Sequence, residues 1–255
     1  MVLNYKTFGT GFPVIILHGL LGSLDNWQSV AKKLAEHYQV YIVDQRNHGK
    51  SPHSSDFSYP ILSADLLQFM DEHGIQQAHL IGHSMGGKTV MQFAMQHPER
   101  ISKLIIVDSS STAFEDRHSA VFKALFAADV QHATDRREVE KTLRDKLDGD
   151  ETTVQFLMKG LNRDDAGTNF EWKFNARALW NNYANIAGAI EYGEPFTGPT
   201  LFIKGENSDY INPGNYIDMN ELFPNNHVIE IKGAGHWVHA DNPADFTAEV
   251  MKFLA

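Results

Sequence analysis

Short apolar runs alternate along this chain with longer stretches of helical period. Pro13 to Leu17, Gln39 to Val43, Ala78 to Gly82, Lys103 to Val107, Thr200 to Lys204 and His227 to Ile231 read as strands, mostly as continuous apolar runs. A strand apolar on both faces must be covered on both faces, so the pattern predicts an α/β fold with a mostly parallel central sheet flanked by helices. Helices fit between these runs at Trp27 to His37, Ile61 to His73, Met85 to His97, Asn215 to Leu222 and Pro243 to Leu254. The last has matching start chemistry: Asn242 to cap it, Pro243 at the first helical position and Asp245 near the positive end of the dipole.

The rhythm breaks between Ser109 and Pro195, a stretch with no convincing sheet strand. Amphipathic helical periods appear instead at Ala120 to Ala128, Arg137 to Leu147 and Thr152 to Leu161, and Glu171 to Phe174 reads as a short extended segment. The stretch is too long for a loop. It is read as a helical cap, residues 109–195, inserted into a core of residues 1–108 and 196–255; a surface elaboration without a role at the site is the plainer alternative.

Length and charge narrow the picture further. The 255 residues, 42% of them hydrophobic, suit a single packed unit with an insertion. A net charge of −10 and the lack of any Lys/Arg cluster argue against a nucleic-acid or anionic-lipid partner. The chain has no cysteine, which excludes disulfides, a thiolate nucleophile and Cys-ligated metal. The apolar runs are strand-sized, so a membrane span is not expected, and the start lacks a signal-peptide pattern; a cytoplasmic location is the expectation.

The candidate chemistry begins at Gly82-His83-Ser84-Met85-Gly86, between a predicted strand and a predicted helix. That context suits a turn that throws a serine oxygen out above the sheet, with small residues letting neighbouring backbone approach. Ser84 is therefore the candidate nucleophile. The helix that starts here aims free N–H groups at the reacting centre, and the N–H of Met85 is one candidate oxyanion donor. His18-Gly19-Leu20-Leu21-Gly22-Ser23 follows the first strong strand, and the N–H of Leu20 is the second candidate. A phosphate-binding role for these glycines lacks both the Gly-Lys-Ser/Thr and the dinucleotide spacing. His236, in Gly233-Ala234-Gly235-His236-Trp237 after the last strand, is the candidate base. His239 is a supporting or rim group, and His83 is expected to pack and bond locally. No metal spacing is evident among the thirteen histidines. Two aspartates compete to orient His236: Asp108, at the end of the strand Lys103 to Val107, and Asp209, after Thr200 to Lys204. The chain order Ser, Asp, His fits either.

These motifs together, with Asp44-Gln45-Arg46-Asn47-His48-Gly49-Lys50-Ser51, resemble the α/β-hydrolase superfamily. More closely, residues 18–26, 46–49, 83–88 and 233–240, with Lys173-Phe174-Asn175 and Leu179-Trp180, resemble the bacterial YbfF-type esterases over nearly the whole chain. The resemblance implies a serine hydrolase acting without a cofactor on small-molecule carboxylic esters, with acyl-coenzyme A thioesters as a second class. It assigns Asp44 and Arg46 to structure, and it favours Asp108 as the acid. In many α/β-hydrolases the acid is the fourth residue of a Gly-x-x-Asp turn, whereas Gly205-Glu206-Asn207-Ser208 puts a serine there.

Aromatic residues available for an acyl pocket are Phe114, Phe122, Phe126, Phe156, Trp180, Tyr183 and Trp237, of which Trp180, Trp237 and Phe126 are the expected substrate contacts. Helically spaced Phe122 and Phe126 could equally hold the cap down. A coenzyme A phosphate would need local cations such as Lys88 or cap arginines. Ser84 disfavours dehalogenase and epoxide-hydrolase chemistry, which use a carboxylate nucleophile. A cofactor-free perhydrolase, a carbon–carbon bond hydrolase and a non-catalytic binding module stay open as alternatives.

Overall fold

The computed structural model describes residues 1–164 and 166–255. Strands β1 (Tyr5–Phe8), β2 (Pro13–Leu17), β3 (Gln39–Val43), β4 (Ala78–His83), β5 (Ile101–Val107), β8 (Thr200–Gly205) and β9 (Asn226–Ile231) form one sheet in the order β1-β3-β2-β4-β5-β8-β9. All neighbours are parallel except β1, which pairs antiparallel with β3. The six predicted strands are the parallel ones. β1 lacks an apolar run: Tyr-Lys-Thr-Phe is short and largely exposed, and the pairing Tyr5 with Val43 through Phe8 with Val40 makes it a strand. Its pattern is that of an edge, which sequence periodicity detects poorly.

Two-sided burial is visible within single strands. Val14 and Ile16 of β2 point into one apolar cluster with Ile42, Ile81, Ile105 and Ile203. Ile15 and Leu17 point into the other with Val43, Leu80, Leu104 and Phe202. Helices α1 (Gln28–Leu34) and α11 (Pro243–Leu254) cover the first face; α2 (Tyr59–Glu72) and α3 (Met85–Gln96) cover the second. α1 is shorter than predicted because Leu24–Trp27 forms a separate 3₁₀ turn ahead of it and Ala35 caps it. The Asn242 side chain caps α11 by accepting from the Asp245 N–H.

Between β5 and β8 lie α4 (Ser119–Ala127), α5 (Arg136–Lys146), α6 (Glu151–Lys159), a hairpin of β6 (Leu161–Arg163) and β7 (Phe170–Trp172), α7 (Ala176–Asn181) and α8 (Tyr183–Ala187). Leu161, expected at a helix end, instead starts β6. Phe122, Leu143, Leu157, Leu179 and Ile186 from this insertion belong to the same apolar cluster as α2 and α3. The insertion thus shares one continuous apolar cluster with the helices on that face of the sheet. α9 (Tyr216–Leu222) and the short α10 (Val238–Asp241) complete the helices.

β3 and β4 lie on opposite sides of β2, so the chain changes direction across the sheet there. Loops leaving the C-terminal ends of β2 and β4 diverge at such a point and open a crevice, the usual ligand site of an open α/β sheet. His18–Ser23 and Ser84 sit on those two loops.

Candidate active site

Ser84 adopts φ 52° and ψ −115°, a strained conformation for a non-glycine residue, between the last residue of β4 and the first of α3. Such a conformation costs about 1–3 kcal/mol and persists only where surroundings impose it. They do so by contact. A side chain on Gly82 would meet the Gly86 carbonyl oxygen at 2.2 Å, and one on Gly86 would meet the Leu17 carbonyl at 2.5 Å. The Ser84 N–H is anchored to the Val107 carbonyl at 3.0 Å. Met85 opens α3, so its N–H has no intrahelical acceptor and joins the positive end of the helix dipole beside Ser84. The Leu20 N–H likewise has no hydrogen-bond partner among the described residues, and Leu20 borders the same cavity as Ser84.

The turn carrying Leu20 is held from behind. The Leu21 N–H donates to His48 Nε2 at 3.1 Å, and the Gln45 N–H donates to His18 Nε2 at 3.0 Å. Each ring therefore accepts at Nε2 and donates from Nδ1, His48 to the Arg46 carbonyl and His18 to the Gly19 carbonyl. Burial lowers the pKa of both, keeping them neutral. The Asp44 carboxylate accepts from the Leu24 N–H and the Asn4 amide at 2.7 Å and from the Lys50 N–H at 3.0 Å. Arg46 is paired with Asp65 at 2.6 and 2.8 Å. Neither borders the Ser84 cavity.

His236 Nδ1 hydrogen-bonds Asp108 Oδ2 at 2.7 Å. Asp108 is fully buried, also has φ above zero (46°), and is fixed by its own N–H donating to the Ile203 carbonyl at 2.7 Å. Its carboxylate accepts further bonds from the Gly205 N–H at 3.3 Å and from the Ser208 hydroxyl. Asp209 lies elsewhere: its side chain is 76% exposed and paired with Arg117. Burial disfavours charge on both members of the His236–Asp108 pair. It pulls the imidazole well below its usual pKa, with the Arg117 guanidinium adding to the effect and Asp209 opposing it. Burial also raises Asp108, while the Ser208 hydroxyl, the Gly205 N–H and Lys204 favour its anion. The His236 imidazole is thus neutral at ordinary pH.

Sequence reasoning missed the stack that covers His236. The Tyr210 ring lies on the imidazole at 3.7 Å between centroids and 15° between planes, and the Arg117 guanidinium lies on the other side of Tyr210 at 4.5 Å. Tyr210 follows Asp209 directly, and position after the penultimate strand was the only sequence signal available for it. His83 Nε2 donates to the His236 carbonyl at 2.8 Å, and burial holds it neutral. His239 stacks on Trp27 at 4.0 Å and is likewise neutral by burial. No cluster of three or more metal-ligating side chains occurs among the described residues.

Ser84, Leu20 and His236 border one cavity of about 210 Å³, walled on its apolar side by Val121, Phe156, Leu157 and Trp237. Trp237 borders it, packed on Phe156 at 5.1 Å. Phe126 and Trp180 do not border it. Phe126 is 40% exposed under Arg177, and Trp180 packs on Phe122 and Tyr183. Both pack against Phe122 within the insertion instead, so this expectation is corrected. Ser84 also borders a second, polar chamber of about 260 Å³, and Tyr210 and Arg117 likewise border both.

A family model described as the alpha/beta hydrolase fold matches residues 13–243. The chain is 36% identical to esterase YbfF of Escherichia coli over 95% of its own length and 92% of that protein. It is 35% identical to the sn-1-specific diacylglycerol lipase ABHD11 of Danio rerio, covering 99% of this chain and 82% of that one. A solved structure described as a marine microorganism esterase superposes with a TM-score of 0.95 at 39% identity, covering 98% of both chains.

Proposed function

Because this chain belongs to the α/β-hydrolase fold family and is a carboxylic ester hydrolase, we propose that it works through a Ser84-His236-Asp108 triad with residues 109–195 as its cap. The observation that carries this reading is the 2.7 Å bond from His236 to buried Asp108, with His236 and Ser84 bordering one cavity. Ser84 Oγ attacks the acyl carbon and its proton passes to His236 Nε2. Asp108 holds the other ring proton on Nδ1 and offsets the imidazolium charge. The carbonyl oxygen becomes an oxyanion between the N–H groups of Leu20 and Met85. His236 returns the proton to the leaving oxygen as the C–O bond breaks. It then activates a water, which splits the acyl-enzyme into acid and free Ser84.

The cavity walls of Phe156, Leu157 and Trp237 favour an apolar arm on the ester. Relatives named as an esterase and as a diacylglycerol lipase share the carboxylic ester bond, and short- to medium-chain esters are the proposed substrates. Acyl thioesters are the second substrate class, since the same attack expels a thiol. Ser84→Ala should reduce turnover of aryl esters by about 10⁶-fold while leaving the circular dichroism unchanged. Retained turnover would place the nucleophile elsewhere, and failure of a fluorophosphonate to label wild-type Ser84 would remove the reading. Rates on esters and thioesters of graded acyl length decide between the two substrate classes.

A further inference from the structure

Lys88 is a buried cation that the triad chemistry does not use. It lies one helical turn after Ser84 on α3, is 2% exposed, and has no carboxylate within ion-pairing distance among the described residues. Its ammonium donates to the carbonyls of Thr112 and Gly188 and sits 4.8 Å from the Phe114 ring centre. An ammonium has three protons; two go to these carbonyls, and the third meets no oxygen acceptor among the described residues, only the faces of Phe114 and, at 5.6 Å, Tyr59. Burial without a counter-ion pulls its pKa down to about 7. A buried, unpaired cation is costly, and an anion from outside would relieve that cost.

The surroundings fit such an anion. Lys88 borders the polar chamber together with Ser109, Ser110, Thr112, Asn212 and Asn215. Asn215 and Ser110 both bond the Thr112 hydroxyl, which leaves the Ser109 hydroxyl and the Asn212 NH₂ as the donors suited to a carboxylate. The charged groups at its other walls are Glu115, Arg117 and Asp209; Arg117 and Asp209 pair with each other, and Glu115 is exposed. Lys88 is therefore the cation left at the buried end. Because Ser84 borders both this chamber and the apolar cavity, a bound ester has one arm in each. His236 borders the apolar cavity and not the chamber, and the leaving oxygen must take its proton from His236. The leaving group then belongs in the apolar cavity, and the acyl chain turns into the chamber.

We propose that the chamber is an acyl subsite for short acyl groups ending in a carboxylate, with Lys88 receiving that charge, so that hemiesters of small dicarboxylic acids are preferred substrates. This rests on Ser84 being the nucleophile. The test compares kcat/KM for phenyl hydrogen glutarate with that for phenyl pentanoate, which has the same acyl length and no charge. The wild type should favour the hemiester by at least tenfold. Lys88→Met should lower that ratio by at least tenfold, and Ser109→Ala, which removes one chamber hydroxyl that has no hydrogen-bond partner among the described residues, by about threefold. A wild-type ratio below one overturns the proposal, as does a ratio unchanged in Lys88→Met. So does a preference that appears only when the carboxylate is moved to the phenyl ring. If Lys88→Met does not fold, the wild-type ratio and Ser109→Ala decide. Turnover of phenyl pentanoate and fluorophosphonate labelling of Ser84 report on the nucleophile separately, so a flat ratio with both intact removes the subsite alone.

Discussion

The loops leaving β5 and β8 each offer an aspartate to the same histidine, and they use it in opposite ways. Asp108 terminates β5 inside the protein, fully buried, in a left-handed conformation held by the neighbouring strand, and it bonds His236 directly. Asp209 follows β8 at the surface, 76% exposed, and holds Arg117 over Tyr210. One carboxylate touches the imidazole; the other reaches it through an arginine and a tyrosine ring. The two loops are joined by Ser208, whose hydroxyl donates to Asp108. A position in sequence fixes which residues are near a site, but a buried backbone anchor fixes which one is in it.

Amide substitution breaks the comparison most strongly. Asp108→Asn should lower kcat on an aryl ester by about 10⁴-fold, because an amide in that place permits the wrong imidazole tautomer. Asp209→Asn should cost less than about tenfold, the range expected of an exposed pair. The reverse ranking, measured by steady-state kinetics, would exchange the roles of the two loops. Ser208→Ala removes one hydrogen bond to a buried carboxylate and should lower kcat by about 10- to 100-fold, the range for bonds to charged groups. A loss as large as that of Asp108→Asn would make the hydroxyl an equal member of the triad.

The smallest effect separates the partners of the outer pair. Arg117 disfavours the imidazolium and Asp209 favours it. Arg117→Met should therefore raise the His236 pKa and move the acid limb of kcat/KM to higher pH. Asp209→Asn should lower that pKa and move the limb to lower pH. Each shift should be about half a unit and shrink with added salt. Shifts of the same sign in both variants would mean that the charges act through structure rather than through their fields.

Much of this was legible in the chain. The six parallel strands announced themselves because burial on both faces demands continuous apolar runs, and Ser84, Leu20 and His236 because tight turns demand glycine at fixed offsets. β1 did not, since an exposed edge needs no apolar pattern. Phe126 and Trp180 misled because an aromatic residue in an amphipathic helix looks alike whether it faces a ligand or a neighbouring helix. Arg117 carried no pattern, Tyr210 only its place after a strand, and Lys88 only its charge beside the Ser84 turn: they meet the site from the insertion, a loop and one turn down a helix, and their arrangement gives them a role.

By itself, then, the sequence determined the layering of the sheet and the local geometry at the Ser84 turn, because those depend on periodicity and short-range sterics. Tertiary structure decided between Asp108 and Asp209 as the partner of His236, put Trp237 and not Trp180 at the cavity, and left Lys88 beside a polar chamber with no carboxylate partner among the described residues. Those outcomes depend on burial and on contacts between residues far apart in the chain, which no local pattern encodes.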